Sequence, residues 1–232
     1  LHAVSHDLRN PVLGTLMVLK NLLQQSGEKI QISRSILQRI ADSSDRQLEL
    51  INSLIDTHAA EIRGVVLHCQ PLQLSPLVEA AIADLQPILT KEQTTLTNLI
   101  PPDIPLVNAD PLQLSRVYQN LIANALNHNP PGLSVALDAT VEGDWMRCIV
   151  ADNGVGMSKE QCERLFDLYF RGSQQRHSVG LGLGLYMCRQ IITAHGGEIG
   201  VNSDPGKGAT FWFTLPLAVS PISNPLESAS DA

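Results

Sequence analysis

A histidine followed by a carboxylate, with an amide one helical turn further on, is the feature of this sequence best suited to chemistry. The residues are His6, Asp7 and Asn10, within the segment SHDLRNP. On a helix, His6 lies opposite the apolar stripe that contains Val4 and Leu8, so it faces solvent or a partner. Asp7 can accept a proton from one imidazole nitrogen, which leaves the other nitrogen free as a nucleophile. The alternative interpretation of these residues alone is an ordinary surface histidine.

Two asparagines four residues apart form the second candidate site. Asn120 and Asn124 lie in the segment DPLQLSRVYQNLIANALNH, which is typical of a helix with Asp110 as its N-cap and Pro111 in its first turn. Residues at this spacing share one helix face. Their amide oxygens can complete the shell of a Mg²⁺ ion that bridges phosphates. Asparagine pairs also occur by chance, so this pattern is weak by itself.

The segment DNGVGM contains a carboxylate that ends a predicted strand and is followed by two glycines. Asp152 is positioned to accept the exocyclic amine of adenine, which distinguishes adenine from guanine. Gly154 and Gly156 let the backbone turn sharply against a flat ligand. The segment therefore predicts an adenine-binding loop, although a single motif of this kind is not specific.

The segment GLGLGL places glycines at every second position, Gly180, Gly182 and Gly184, immediately before a helical pattern. Such a run permits a nest of backbone N–H groups that favours phosphates. A Rossmann site is excluded because the spacing is not G-x-G-x-x-G after a strand. The polar stretch before these glycines is typical of a mobile lid, and Arg171 within it is a candidate phosphate ligand.

Composition limits the classes of partner and compartment. A net charge of −7 argues against a nucleic-acid surface. The four cysteines show no metal-ligand or C-x-x-C spacing, which indicates a reducing compartment. Neither a signal peptide nor an apolar run of about 18 residues is present. We therefore expect a cytoplasmic fragment of a longer protein, with no nucleic-acid partner and no membrane contact within the fragment.

Helical periodicity and a change of composition predict an α+β protein. Residues 1–63 read as a helical hairpin, 64–71 as a linker, 72–218 as an α/β domain and 219–232 as a disordered tail. Two amphipathic helices cannot enclose a core, so we expect a homodimer with a four-helix bundle. The expected core residues are Leu1, Val4, Leu8, Val12, Leu16, Leu19, Leu23, Leu37, Ile40, Leu48, Ile51, Ile55 and Ile62.

These segments, in this order, resemble the sensor histidine kinases of two-component systems. SHDLRNP is similar to the family's H box, DPLQLSRVYQNLIANALNHN to its N box, DNGVGM to its G1 box, LFDLYFRG to its F box, GLGLGL to its G2 box and GKGATF to its last glycine box. The resemblance implies a four-helix dimerisation and phosphotransfer domain joined to a Bergerat (GHKL) ATP-binding domain. It also implies that ATP phosphorylates His6, and that the phosphoryl group passes to an aspartate of a response regulator.

The resemblance also assigns site residues. Asn124 is expected to bind Mg²⁺, Asn120 to support the phosphates, Asp152 to bind adenine and Asp7 to act as the acid–base partner of His6. Thr210, in the last glycine box, is expected among the nucleotide-binding residues. Asn10 resembles the family residue associated with removing phosphate from the regulator. The apolar Leu13 and Met17, on the same helix face as His6, form an expected docking patch.

One departure from the family pattern concerns charge. Asn127 stands where the family commonly has a lysine, which removes a phosphate-facing cation, and His128 and Arg171 are candidates to replace it. This departure leaves open a nucleotide-binding scaffold without kinase activity. A GHKL-type ATPase is the less favoured alternative, because its relatives place a glutamate where this chain has Asn120.

Overall fold

The computed structural model describes residues 2–24, 31–170 and 181–218, and of residues 2–8 it describes only the backbone. The predicted tail 219–232, Leu1, Arg171 and Gly180 lie outside the described residues. The elements, in chain order, are α1 (His2–Leu23), α2 (Arg34–Arg63), β1 (Gln70–Leu72), α3 (Leu74–Lys91), β2 (Thr95–Asn98), β3 (Val107–Ala109), α4 (Pro111–His128), β4 (Ser134–Glu142), β5 (Trp145–Asp152), α5 (Lys159–Arg164), α6 (Gly184–Ala194), β6 (Ile199–Ser203) and β7 (Ala209–Pro216).

The first two helices form the predicted hairpin. Ser43 of α2 fixes their register, because its hydroxyl donates to the Pro11 carbonyl at 3.3 Å and accepts from the Thr15 hydroxyl at 2.9 Å. Pro11 lies inside α1, which continues through it. Helix α2 begins after Ser33, whose side chain accepts from the Ile36 N–H, and ends at Arg63, with Gly64 as its C-cap. None of the helices in the described ranges is long and apolar enough to cross a bilayer.

Most of the hairpin's predicted core residues are exposed in the single chain. Helix α2 exposes five of them at spacings of three, four, seven and eleven, so they lie in one stripe along the helix. We call this set the α2 stripe: Leu37, Leu48, Ile51, Ile55 and Ile62. Helix α1 exposes Val12, Leu16, Leu19 and Leu23. The hairpin therefore leaves an extended apolar surface uncovered, which is what a half-bundle requires.

The second region is a five-stranded sheet in the order β2-β4-β5-β7-β6, with β2 and β4 parallel and the other neighbours antiparallel. Alternate residues of β7 are buried, so one face of the sheet packs against helices while the other faces outward. Phe213 of this strand meets Tyr118 of α4 edge to face, with ring centroids 5.4 Å apart. The predicted α+β class with helices on one face of the sheet is confirmed.

Helix α4 begins as the sequence predicts. Asp110 caps it by accepting from the N–H groups of Leu112 and Gln113 at 2.9 and 3.0 Å. The buried His195 imidazole supports the same turn, because its Nε2 accepts from the Asp110 N–H at 3.0 Å. This contact between α4 and the end of α6 fixes the helix that carries both site asparagines.

Two short elements were not predicted. Strand β1 begins at Gln70, inside the segment predicted as linker, and pairs antiparallel with β3. Helix α5 follows a capping box in which Ser158 and Gln161 bond to each other's backbone N–H groups. Both elements are short, so neither produces a periodic pattern long enough to detect.

Candidate functional site

A cavity of about 590 Å³ opens between the hairpin and the sheet domain. It lies at the carboxyl ends of α4 and β5 and at the start of α6. Seven of the predicted site residues line it: Asn120, Asn124, His128, Asp152, Gly156, Gly182 and Gly184. The fold thus brings the N, G1 and G2 boxes to one concave site of the size used for small ligands.

The two asparagines of α4 lie on the face that lines the cavity. Behind Asn120 lies the buried thiol of Cys188 on α6, which donates to the Val117 carbonyl of α4 at 3.9 Å. The start of α6 packs directly beside this amide, since a Cβ at Gly184 would lie in van der Waals contact with Asn120 Oδ1, at 3.4 Å. Asn124 lies one turn closer to the helix end and lines the same cavity.

Asp152, the last residue of β5, presents its carboxylate to the cavity. One carboxylate oxygen accepts from the Gly154 N–H at 2.9 Å, and the Ala209 N–H also donates to this side chain. Burial raises the pKa of Asp152 above its ordinary value, although the two backbone donors partly oppose this shift. A partly desolvated acceptor with lone pairs left over is suited to an amine donor in a flat ligand.

The G1 loop is held by a residue that the sequence analysis did not identify. Asn129, just past the end of α4, accepts from the Val155 N–H at 2.7 Å and donates to the Ala125 carbonyl at 2.8 Å. Gly154 does not line the cavity. Any side chain there would collide with the Asn129 amide, so its role is to let this contact form. The sequence shows only that an asparagine follows the predicted helix. Many helices end in this way, so the pattern does not indicate a contact with the G1 loop.

Two other glycines adopt backbone conformations that other residues resist. Gly156 has φ of +66° and Gly182 has φ of +68°. A side chain at Gly156 would also collide with the Asp204 carbonyl, and one at Gly182 would lie 2.6 Å from the Phe170 carbonyl. Substitution at either position would therefore deform a wall of the cavity.

The structure does not bring Thr210 to the cavity. Residues of β7 alternate between faces, and it is Ala209 and Phe211 that line the site. Thr210 lies on the opposite face, in a second, shallower depression. The residue paired with Asp152 in the sheet is Ala209. Thr210 is therefore removed from the nucleotide-binding set, because a strand turns alternate side chains to opposite faces.

The hairpin contributes one wall of the cavity, which the sequence analysis did not predict. Arg46, Glu49, Leu50 and Ser53 of α2 line it. The interface beside it is apolar, because Leu50 and Leu54 pack on Leu181 and Leu183 at the two sides of Gly182. Closer to the C-terminus of α2, Asp56 forms an ion pair with Arg116 of α4 at 3.4 Å.

The remaining predicted residues lie on the hairpin. His6 and Asp7 belong to helix α1, where the structure describes their backbone but not their side chains. Asn10 is exposed on the same helix. Because α1 and α2 are antiparallel and Ser43 is level with Pro11 and Thr15, the backbone at His6 is level with residues 48–52 of α2. This is the stretch that contributes Glu49 and Leu50 to the cavity.

Comparison with known proteins agrees with the division into a helical hairpin and a sheet domain. Residues 1–61 match the family model "His Kinase A (phospho-acceptor) domain". Residues 109–219 match "Histidine kinase-, DNA gyrase B-, and HSP90-like ATPase". The chain is 32% identical over 217 residues to the adaptive-response sensory kinase SasA of Synechococcus sp. (strain JA-2-3B'a(2-13)), covering 91% of this chain. It spans just over half of that relative, 57% of its length.

Solved structures show the same architecture. Full-length ShkA in complex with AMPPNP superposes with a TM-score of 0.73 at 25% identity, over 94% of this chain and 46% of that one. ThkA in complex with the response regulator protein TrrA gives a TM-score of 0.72 at 20% identity, over 94% and 60% of the two chains. With both family models in order and the boxes gathered at one cavity, the chain belongs to the sensor histidine kinases.

Proposed function

We propose that this chain transfers the γ-phosphoryl group of ATP to His6 and then to an aspartate of a response regulator. The observation that carries the proposal is the shared cavity. Its walls come from the sheet domain and from α2, and the antiparallel register of the hairpin brings the His6 backbone level with the α2 wall. Phosphoryl transfer depends mainly on positioning, so a nucleotide site beside the acceptor hairpin is the required arrangement.

In the proposed first step, one imidazole nitrogen of His6 attacks the γ-phosphorus as the bond between that phosphorus and the oxygen of ADP breaks. The proton on the other ring nitrogen passes to the Asp7 carboxylate, so the phosphorylated ring leaves the step neutral. In the second step an aspartate carboxylate of the regulator attacks the same phosphorus and the P–N bond breaks. Asp7 returns its proton to the other ring nitrogen, so His6 leaves as a neutral imidazole. Asn120 and Asn124 hold the phosphate end of the nucleotide while Asp152 holds the adenine.

The donor set is suited to Mg²⁺ that arrives with phosphates. Asn120 and Asn124 offer neutral amide oxygens, which are ligands that Mg²⁺ accepts. In the described ranges no group of three or more His, Cys, Asp or Glu gathers to hold an ion unaided. We therefore propose that Asn124 is the protein ligand and that phosphate oxygens and water supply the others. The ion, when bound, neutralises charge that develops on the phosphates.

We propose that the active form is a homodimer. The α2 stripe and the apolar residues of α1 are exposed in one chain, and a second copy would cover them in a four-helix bundle. The α2 stripe lies roughly opposite Arg46 and Ser53 on the helix wheel, so dimerisation leaves the cavity wall free.

We propose that the regulator docks on α1. Leu13 and Met17 have exposed fractions of 47% and 68%, and they share the helix face of His6. A receiver domain seated on this patch would bring its aspartate to the phosphorylated histidine. Asn10, on the same helix, is positioned to aim a water at the aspartyl phosphate in the reverse, dephosphorylating reaction.

The test is labelling with γ-³²P ATP and Mg²⁺. We expect a label that is labile in acid and stable in alkali, because the bond is a phosphoramidate. His6→Gln should abolish the label, whereas His58→Gln, at an exposed position on α2, should retain it. Equal labelling of the two variants would contradict the assignment of His6.

A further inference from the structure

The cavity is poor in positive charge for a site that takes a polyanion. In the described ranges, the residues that line it include two carboxylates, Glu49 and Asp152, one histidine, His128, and one arginine, Arg46, but no lysine. Asn120, Asn124 and Asn127 are neutral. A triphosphate held against such a wall needs a cation, because amide dipoles offset only part of its charge.

Arg46 lines the cavity from the hairpin side. It precedes Leu50 by one helical turn, so the two side chains share a face of α2. Leu50 packs on Leu181 and Leu183, which flank Gly182 in the glycine loop before α6. Arg46 is therefore one helical turn from the contact between α2 and the glycine loop, which leads into the helix start at which phosphates are favoured.

Arg46 is also available for a ligand. It is exposed and makes no ion pair or hydrogen bond with any described residue, in contrast to Arg116 of the same interface, which pairs with Asp56. On the helix wheel it points about 160° away from Leu48 of the α2 stripe, so a dimer partner on that stripe leaves it uncovered.

We infer that Arg46 binds the β- and γ-phosphates of ATP from the phosphoacceptor hairpin. The inference rests on the proposed use of ATP. Its consequence is that the nucleotide bridges the two domains: the sheet domain holds adenine through Asp152, and α2 holds the terminal phosphates through Arg46. A triphosphate would then favour the docked arrangement of the domains, while a nucleotide without terminal phosphates would not.

The experiment measures the affinity of the whole chain for AMPPNP with Mg²⁺ and for AMP, by calorimetry or by competition with a fluorescent nucleotide. For Arg46→Gln we expect AMPPNP to bind about tenfold more weakly, which is 1.4 kcal/mol, with AMP unchanged within about twofold. Arg46→Lys should keep most of the affinity. The loss should shrink at high salt, because a solvent-accessible charge pair is screened.

The matched control is Arg39→Gln. Arg39 lies seven residues earlier on the same face of α2 and is not among the described residues that line the cavity. Equal AMPPNP affinity in Arg46→Gln and Arg39→Gln would overturn the inference, and so would an equal loss of AMP, since that would mean a general disturbance of the site. If the wild-type chain binds neither nucleotide, the proposed use of ATP fails, and this failure is distinct from a selective failure at Arg46.

Discussion

Replacement of Asp152 by asparagine tests how the site recognises the base. In the structure its carboxylate accepts from the N–H groups of Gly154 and Ala209 and keeps lone pairs that face the cavity. An asparagine can satisfy the backbone donors only with its oxygen, which turns its NH₂ group toward the ligand. A donor would then meet the amine of adenine, and one charge-assisted hydrogen bond would be lost.

The expected loss follows from that bond. Hydrogen bonds to charged groups contribute about 1.5 to 3 kcal/mol, so ADP should bind roughly tenfold to a hundredfold more weakly. Discrimination against GDP should fall as well, because the acceptor that selects adenine is gone. Calorimetry at pH 7 measures both. Asp138→Asn, a carboxylate on β4 outside the cavity lining, is the control.

The same substitution has the opposite effect on stability. Burial raises the pKa of Asp152 in the folded chain, so the wild type loses stability as pH rises from the unfolded pKa through the folded one. Asparagine has no such loss. Asp152→Asn should therefore be at least as stable as wild type to denaturant at pH 7, and its advantage should vanish in acid below the ordinary carboxyl pKa of 3.8. Unchanged ADP affinity, or lower stability at pH 7, would refute the reasoning.

Three further substitutions separate the other parts of the site. Asn129→Ala removes the hydrogen bonds to Val155 and Ala125, so we expect the free energy of unfolding to fall by about 1 kcal/mol. We also expect ADP to bind a few times more weakly. A calorimetric trace identical to that of the wild type would count against a positioning role. Asn10→Ala should spare labelling of His6 but slow dephosphorylation of the cognate regulator about tenfold, a conservative figure for one positioned group; equal decay of phospho-regulator with both proteins would leave Asn10 without that role. Ile51→Glu places a charge in the α2 stripe and should convert the dimer to monomers, as measured by sedimentation velocity at tens of micromolar. The control Asp45→Lys, at an exposed position on the same helix, should remain a dimer. Dimers of both variants would contradict the four-helix bundle.

The sequence predicts most of the sheet domain because its elements are long or clearly capped. Helix α4 begins at Pro111 behind the Asp110 cap, as expected, and the strand predicted to end at Asp152 is β5. Short elements are not predicted, because their patterns are too brief to detect. Strand β1 has three residues, and α5 has six, which is less than two helical turns. Contacts between separate elements cannot be predicted from local patterns either. The contact of Asn129 with the G1 loop and that of His195 with Asp110 were therefore not predicted.

The candidate site shows the same limit. Motifs identify Asp152, Asn120 and Asn124, since each carries its chemistry within a few residues of sequence. The assignment of Thr210 fails because the motif does not state which alternate residue of β7 faces the cavity. Arg46 has no motif at all. Its place follows only from the docking of α2 on the glycine loop, a contact between residues far apart in sequence.

The most direct test of the central claim is to locate the phosphoryl group itself. The wild-type chain, incubated with ATP and Mg²⁺ and kept at alkaline pH, is digested and analysed by mass spectrometry with fragmentation that preserves phosphoramidates. Of the seven histidines, we predict that His6 alone carries phosphate. Phosphate found on another histidine, or only on serine or threonine, would contradict the account.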